Sequence, residues 1–152
     1  MLSPVHIHLL LNHIPVIGVF IGLFVLLYGT VKKSEDIKRA SLLLFLLFAL
    51  ISIPVYLTGE PAEEVVEDLP GVSHDFIEEH EESALFSFIS ILALGLLSLI
   101  GLVVRNQKIY SVCLILALIA GGLVSWTANL GGQIRHSEIR SGAEVPAESH
   151  ED

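Results

Sequence analysis

The chain has 152 residues, of which 53% are hydrophobic, and its mean hydropathy of +0.72 is far above that of a soluble globular protein. Its formal charge is −9, and residues 58–83 hold ten Asp or Glu and no Lys or Arg. An acidic face of this kind disfavours nucleic acid and anionic surfaces and could attract a basic partner. The sequence has no phosphate-binding loop and no arrangement typical of nucleophilic catalysis.

Four apolar blocks occupy residues 9–31, 40–57, 84–104 and 109–130. Each is close to the 20 or so residues that a helix needs to cross a hydrocarbon core of about 30 Å. We therefore predict an all-α integral membrane four-helix bundle, with helices at about 7–31, 40–58, 75–104 and 109–130. Residues 1–140 would form this transmembrane domain and 141–152 a polar C-terminal tail. The first block has no basic leader and no cleavage site, so we expect a retained helix.

The connections between the first two and the last two helices are short, which favours an up-down-up-down topology. Six of the eight Lys and Arg lie in these connections, which the positive-inside rule assigns to the cytoplasm: Lys32, Lys33, Lys38, Arg39, Arg105 and Lys108. Both termini and the acidic segment then face outward. In a bacterium this is a multi-pass inner-membrane protein, N-out and C-out, with its outer side in the periplasm.

Glycine and proline mark the expected helix ends. Gly59 and Pro61 are predicted to end the second helix, and the pair Gly131-Gly132 is predicted to break the fourth. The two halves share a helix-loop-helix hydropathy plan, but no motif recurs clearly, so we expect no strong internal repeat.

All seven histidines fall on the predicted outer side: His6, His8, His13, His74, His80, His136 and His150. An ionisable residue inside an apolar block is costly in a membrane, which makes His13 a functional candidate. His80 precedes the third apolar block and His136 follows the fourth. His8, His13, His80 and His136 lie where a bundle could use them, and the other three are expected to be bystanders.

Three chemistries fit these residues. The first is b-type haem, whose iron takes axial imidazoles from facing helices of a bundle. His13 and His80 would be diagonal partners, and His8 with His136 could hold a second haem. Arg135 could balance haem propionates. The predicted cofactor is therefore one or two b-type haems, with quinone as a further candidate ligand.

The second chemistry is a non-haem metal site built from Glu60, Glu64, His80 and Glu81, because carboxylates and imidazoles suit iron, manganese or zinc. The paired Glu-x-x-His motifs of di-iron bundles are absent from the sequence. The third is no cofactor at all, in a structural or accessory subunit whose acidic loop docks a partner. A homo-oligomer also remains open.

Four short motifs occur in order along the chain: His8-x4-His13-x-Pro15, Tyr56-Leu57-Thr58-Gly59, His80 with Ala84, and Gly131-Gly132 before His136. Together they resemble an uncharacterised family of four-helix bacterial membrane proteins, the domain of unknown function 2231 type, over roughly residues 2–138. The chain departs from that pattern at Leu9 and in its more acidic residues 60–68.

The resemblance implies a redox-associated protein, and His8, His13 and His80 match its pattern best. The expected function is electron transfer between membrane quinol and a periplasmic cytochrome or a larger membrane redox complex. The chain would act as an electron-transfer subunit rather than as a stand-alone enzyme.

Overall fold

The computed structural model describes residues 3–104 and 106–140, and every element of regular secondary structure in this part of the chain is a helix. The predicted polar tail and His150 lie outside the described residues. The helices are α1 (Pro4–Leu11), α2 (His13–Val31), α3 (Glu35–Leu57), α4 (Gly59–Val66), α5 (His74–Val104), α6 (Gln107–Arg135) and a short 3-10 helix (Ser137–Ile139).

Four helical stretches are long and apolar enough to cross a membrane: Pro4–Val31, Glu35–Val66, His74–Val104 and Gln107–Arg135. Large apolar side chains cover their outer surfaces, and Phe24 and Leu96 remain 67% and 62% exposed. In a soluble protein such a surface would aggregate, but in a bilayer it faces lipid. The prediction of an all-α membrane protein with four spanning helices is confirmed at this level.

Prolines mark the points where the first two membrane spans are each divided into two helices. α1 gives way to α2 at Asn12, because Pro15 has no N–H for the carbonyl of Leu11 and its ring crowds that carbonyl. α3 ends at Leu57, as expected near Gly59 and Pro61, and the chain continues at once as α4.

The expected break of the fourth helix at Gly131-Gly132 is wrong. α6 continues through both glycines to Arg135. A glycine inside a helix costs only about 1 kcal/mol relative to alanine, so packing can keep it there. The packing partner of Gly131 is described with the site below.

The bundle is closed by four helix–helix contacts: α2 packs on α3 and α6, and α5 packs on the same two helices. Small residues bring the helices close together. Gly18 and Gly22 lie beneath the rings of Phe48 and Phe45, and Gly95 lies against an alanine of α3. The core of the bundle is apolar and includes Val19, Leu26, Leu42, Leu94, Ala117 and Val124.

The two helix pairs form a structural repeat, with α2 and α3 matching α5 and α6. Asn106 and Gln107, the cap and first residue of α6, stand 72 positions after Ser34 and Glu35, which have the same roles in α3. The burial pattern repeats with the same offset. The buried residues of α2 are Pro15, Gly18, Val19, Gly22, Leu23, Leu26 and Gly29, and their counterparts in α5, all buried, are Ser87, Ser90, Ile91, Leu94, Gly95, Ser98 and Gly101.

This repeat corrects the expectation that the halves share no more than a hydropathy plan. Few residues are identical at the two sets of positions, because one apolar or small side chain replaces another with little change in burial. What persists is which positions are buried and where the helices begin.

Equivalent residues of the two halves also meet where α3 and α6 begin. The buried Lys38 ammonium donates to the carboxylate of Glu35 and, at 2.8 Å, to the side-chain oxygen of Gln107, and it lies 4.6 Å from the ring centroid of Tyr110. Gln107 and Tyr110 stand 72 positions after Glu35 and Lys38. This cluster joins the two halves at the end of the bundle away from the histidines.

Candidate cofactor site

His80 is half-buried on α5, and its ring orientation is fixed by α6. Its Nδ1–H donates to the backbone carbonyl of Thr127 at 2.9 Å. A carbonyl oxygen can only accept, so the proton of the neutral ring is on Nδ1 and the lone pair is on Nε2.

The residues around His80 hold this geometry. The Thr127 hydroxyl hydrogen-bonds with Ser83 and, at 2.8 Å, with Ser87, so the residue that accepts from His80 also ties α6 to α5 through its side chain. On the other side, a Cβ atom at Gly131 would lie 3.0 Å from Cε1 of His80. The glycine expected to break α6 instead makes room for the imidazole.

His8 repeats this arrangement in the first half of the chain. Its ring is half-buried, and Nδ1–H donates to the backbone carbonyl of Val55 at 3.0 Å, with the Thr58 hydroxyl 3.4 Å away. Gly59 lies next to the ring, where an added Cβ would be 3.8 Å from Cε1. His8 therefore also carries its lone pair on Nε2.

The two histidines occupy equivalent positions in the repeat. In each half the accepting carbonyl lies 47 residues after the histidine, and the glycine beside the ring lies four residues further on. The short motifs of the sequence thus combine into two matching half-sites, each made of a histidine, the carbonyl that accepts from it and the glycine beside its ring. One contains His8 with Thr58-Gly59, and the other contains His80 with Gly131.

His13, predicted as the partner of His80, is placed differently. Its side chain is exposed on the surface of α2, and its Nδ1–H donates to the side-chain oxygen of the adjacent Asn12. Among the described residues this is its one hydrogen bond, and no described contact joins it to His80.

His136 and Arg135, the other predicted site residues, lie past or at the end of α6 and are exposed. His136 pairs with Glu138 at 2.8 Å. The pKa of Glu138 is held below its usual range, first by its own backbone N–H and then by His136. Arg135 donates to the carbonyl of Pro70 at 2.6 Å, which fastens the loop between α4 and α5 to α6.

The side chains of the alternative non-haem metal site do not come together. Glu60, Glu64 and Glu81 are exposed, and His80 is turned toward Thr127. Within residues 3–104 and 106–140, no three His, Cys, Asp or Glu side chains are placed to share a metal ion. Mutual repulsion keeps like-charged carboxylates in solvent unless a cation draws them together.

The hydrogen bonds of His8 and His80 are of the kind that a metal-bound imidazole makes. An iron-bound imidazole uses one ring nitrogen and typically donates the other N–H to a backbone carbonyl or carboxylate, which fixes the ring. Both histidines already make that second bond. The space beside Gly18, Gly22 and Gly95 is filled by neighbouring side chains, so these glycines serve helix packing.

No family model, curated protein or solved structure matches this chain. The equivalence of His8 and His80 was not predicted from the sequence. A signal was present, since the spacing from histidine to glycine is the same in His8…Gly59 and His80…Gly131.

Proposed function

We propose that this chain is a membrane electron-transfer subunit that binds b-type haem, with His8 and His80 as the axial ligands. The observation that supports this most strongly is the pair of equivalent half-sites, each with an imidazole held by a carbonyl bond from Nδ1 and with Nε2 left as a ligand. This pairing replaces both His13 with His80 and His8 with His136, and it calls for one haem.

The proposed topology is an up-down-up-down bundle with both termini outside. Contacts of Gly18 with Phe48 and of Gly29 with Lys38 support opposite directions for α2 and α3. The basic residues at the starts of α3 and α6 favour the cytoplasm for that end. The two histidines then lie toward the periplasm in a bacterial inner membrane.

In this topology the two halves are parallel repeats, related by a pseudo-two-fold axis along the membrane normal. Equivalent residues face each other across such an axis, as Lys38 and Tyr110 do at the far end of the bundle. His8 and His80 are equivalent, so a ligand on the axis would meet both Nε2 atoms alike. His13 and His136 correspond to Leu85 and Glu64 and have no such partner.

The chain's own residues would do three things. The carbonyls of Val55 and Thr127 orient the imidazoles, the packed helices exclude water, and the guanidinium of Arg135 offers free donors to a propionate at the outer surface. Haem iron, when bound, supplies a one-electron carrier.

Electrons would pass between membrane quinol and a basic periplasmic cytochrome or a larger redox complex. The acidic segment supports this partner, because residues 58–83 carry ten acidic and no basic side chains and would steer a basic protein to the histidine end. The motif resemblance to the four-helix family of redox-associated proteins points the same way.

The first test is the visible spectrum of the full chain, purified in detergent from cells supplied with haem. We expect a Soret band and, on reduction, a sharp α-band of low-spin bis-histidine haem. A colourless, metal-free protein would contradict the proposal and favour a cofactor-free accessory subunit. Iron without a Soret band would favour a non-haem centre.

A further inference from the structure

A groove runs along the surface between α2 and α3. Its volume is about 240 Å³, and it is lined by His13, Ile14, Ile17, Gly18, Ile21 and Phe48. The Phe48 ring lies on Gly18 and forms its floor. The isoleucines along its length are 36–55% exposed, so the groove opens away from the core, toward lipid.

His13 is the one polar side chain in this lining. Its Nδ1–H donates to Asn12, so the lone pair of the ring is on Nε2, which accepts no hydrogen bond from the described residues. The groove therefore offers one acceptor at the end nearest the other histidines and an apolar channel beyond it.

The internal repeat shows that helix packing does not require this polar pair. The positions equivalent to Asn12 and His13 in α5 are Ala84 and Leu85, although the buried faces of α2 and α5 match position by position. Polar groups at membrane depth are costly and commonly mark a ligand path. The first half thus carries a polar pair at the junction of α1 and α2, where the second half has apolar residues within one continuous helix.

We propose that this groove binds the head group of an isoprenoid quinol, whose ring hydroxyl donates to Nε2 of His13 and whose tail follows Ile17 and Ile21. Phosphatidylcholine carries only hydrogen-bond acceptors and cannot satisfy Nε2, whereas phosphatidylglycerol has hydroxyl donors and is therefore the lipid competitor in the test. The proposal rests on the proposed electron-transfer function, which needs a lipid-soluble donor. His13, the first residue of α2, lies five residues after His8 of α1.

The test uses an azidoquinol photolabel, reduced from the azidoquinone before use, on the full-length protein in phosphatidylcholine vesicles, with labelled peptides mapped by mass spectrometry. We expect labelling within residues 13–21 or at Phe48, and its loss when excess decylubiquinol competes. Label distributed over all lipid-facing helices, or removed equally well by excess phosphatidylglycerol, would overturn the proposal.

Two kinds of variant test the hydrogen bond to His13 and the apolar channel separately. His13→Leu, which copies the second half, should lower labelling about tenfold, the effect of losing one hydrogen bond of roughly 1.4 kcal/mol. Ile17→Trp should block the channel. The matched controls are His6→Leu, another exposed histidine, and Ile119→Trp, which is as exposed as Ile17 at 53% against 55%. Equal labelling of the His13→Leu and His6→Leu proteins would overturn the assignment.

Photolabelling does not require bound haem, so the quinol proposal and the haem proposal can each be refuted without the other. A normal Soret band with no labelling of α2 overturns the quinol groove alone. Labelling of α2 in a colourless protein supports the groove and overturns the haem assignment.

Discussion

A Cβ atom at Gly131 would lie 3.0 Å from Cε1 and 3.2 Å from Nδ1 of His80, closer than a side chain can rest without displacing the ring. The sequence predicts a helix end at Gly131, because glycine is common at the C-terminal ends of helices. Its actual role depends on a ring from another helix, which no local pattern reveals. The sequence therefore identifies the residue as special but not the reason.

Gly131→Ala should displace the His80 ring from its hydrogen bond to Thr127, and this overpacking cost of about 1–3 kcal/mol should exceed the roughly 1 kcal/mol that alanine gains over glycine in a helix, so the protein should be destabilised. Gly122→Ala is the control, since nothing lies within 4 Å of the added methyl group and alanine favours the helix. Unfolding by detergent titration measures both. Equal stability of the two variants would show that the ring does not occupy the space beside Gly131.

Whole helices were easier to predict than their contacts. The thickness of the bilayer sets how long an apolar helix must be, so hydropathy alone located the four spans. Pairing depends on which small and polar residues face each other, and this escaped prediction. The cluster of Glu35, Lys38 and Gln107, for example, joins helix starts about 70 residues apart along the chain.

Lys38→Met tests this link between α3 and α6. The substitution removes a buried donor, so the side-chain oxygen of Gln107 loses its hydrogen bond from Lys38. The free energy of unfolding should therefore fall by at least about 1 kcal/mol, the size of one net hydrogen bond. Lys108→Met removes the same charge from an exposed position of α6 and should change it by less than about 0.5 kcal/mol. Matching losses would argue for a general charge effect instead.

At the scale of the whole molecule, the repeat divides the histidines into those with an equivalent in the other half and those without one. His8 and His80 are equivalent residues with equivalent hydrogen bonds, whereas His13 is an addition to the first half and lies in the surface groove. The repeat could not be predicted from the sequence, because the two halves share buried positions but few residue types. The same duplication separates the proposed haem site from the proposed quinol site.

The most direct test of this account compares the reduced-minus-oxidised spectra of four single variants, in which His8, His80, His13 or His136 is replaced by alanine. The account predicts that His8→Ala and His80→Ala lose the low-spin bis-histidine bands to the same extent, because each removes one equivalent ligand. His13→Ala and His136→Ala should keep them. Loss of these bands in His13→Ala, with no change in His8→Ala, would contradict the pairing across the repeat.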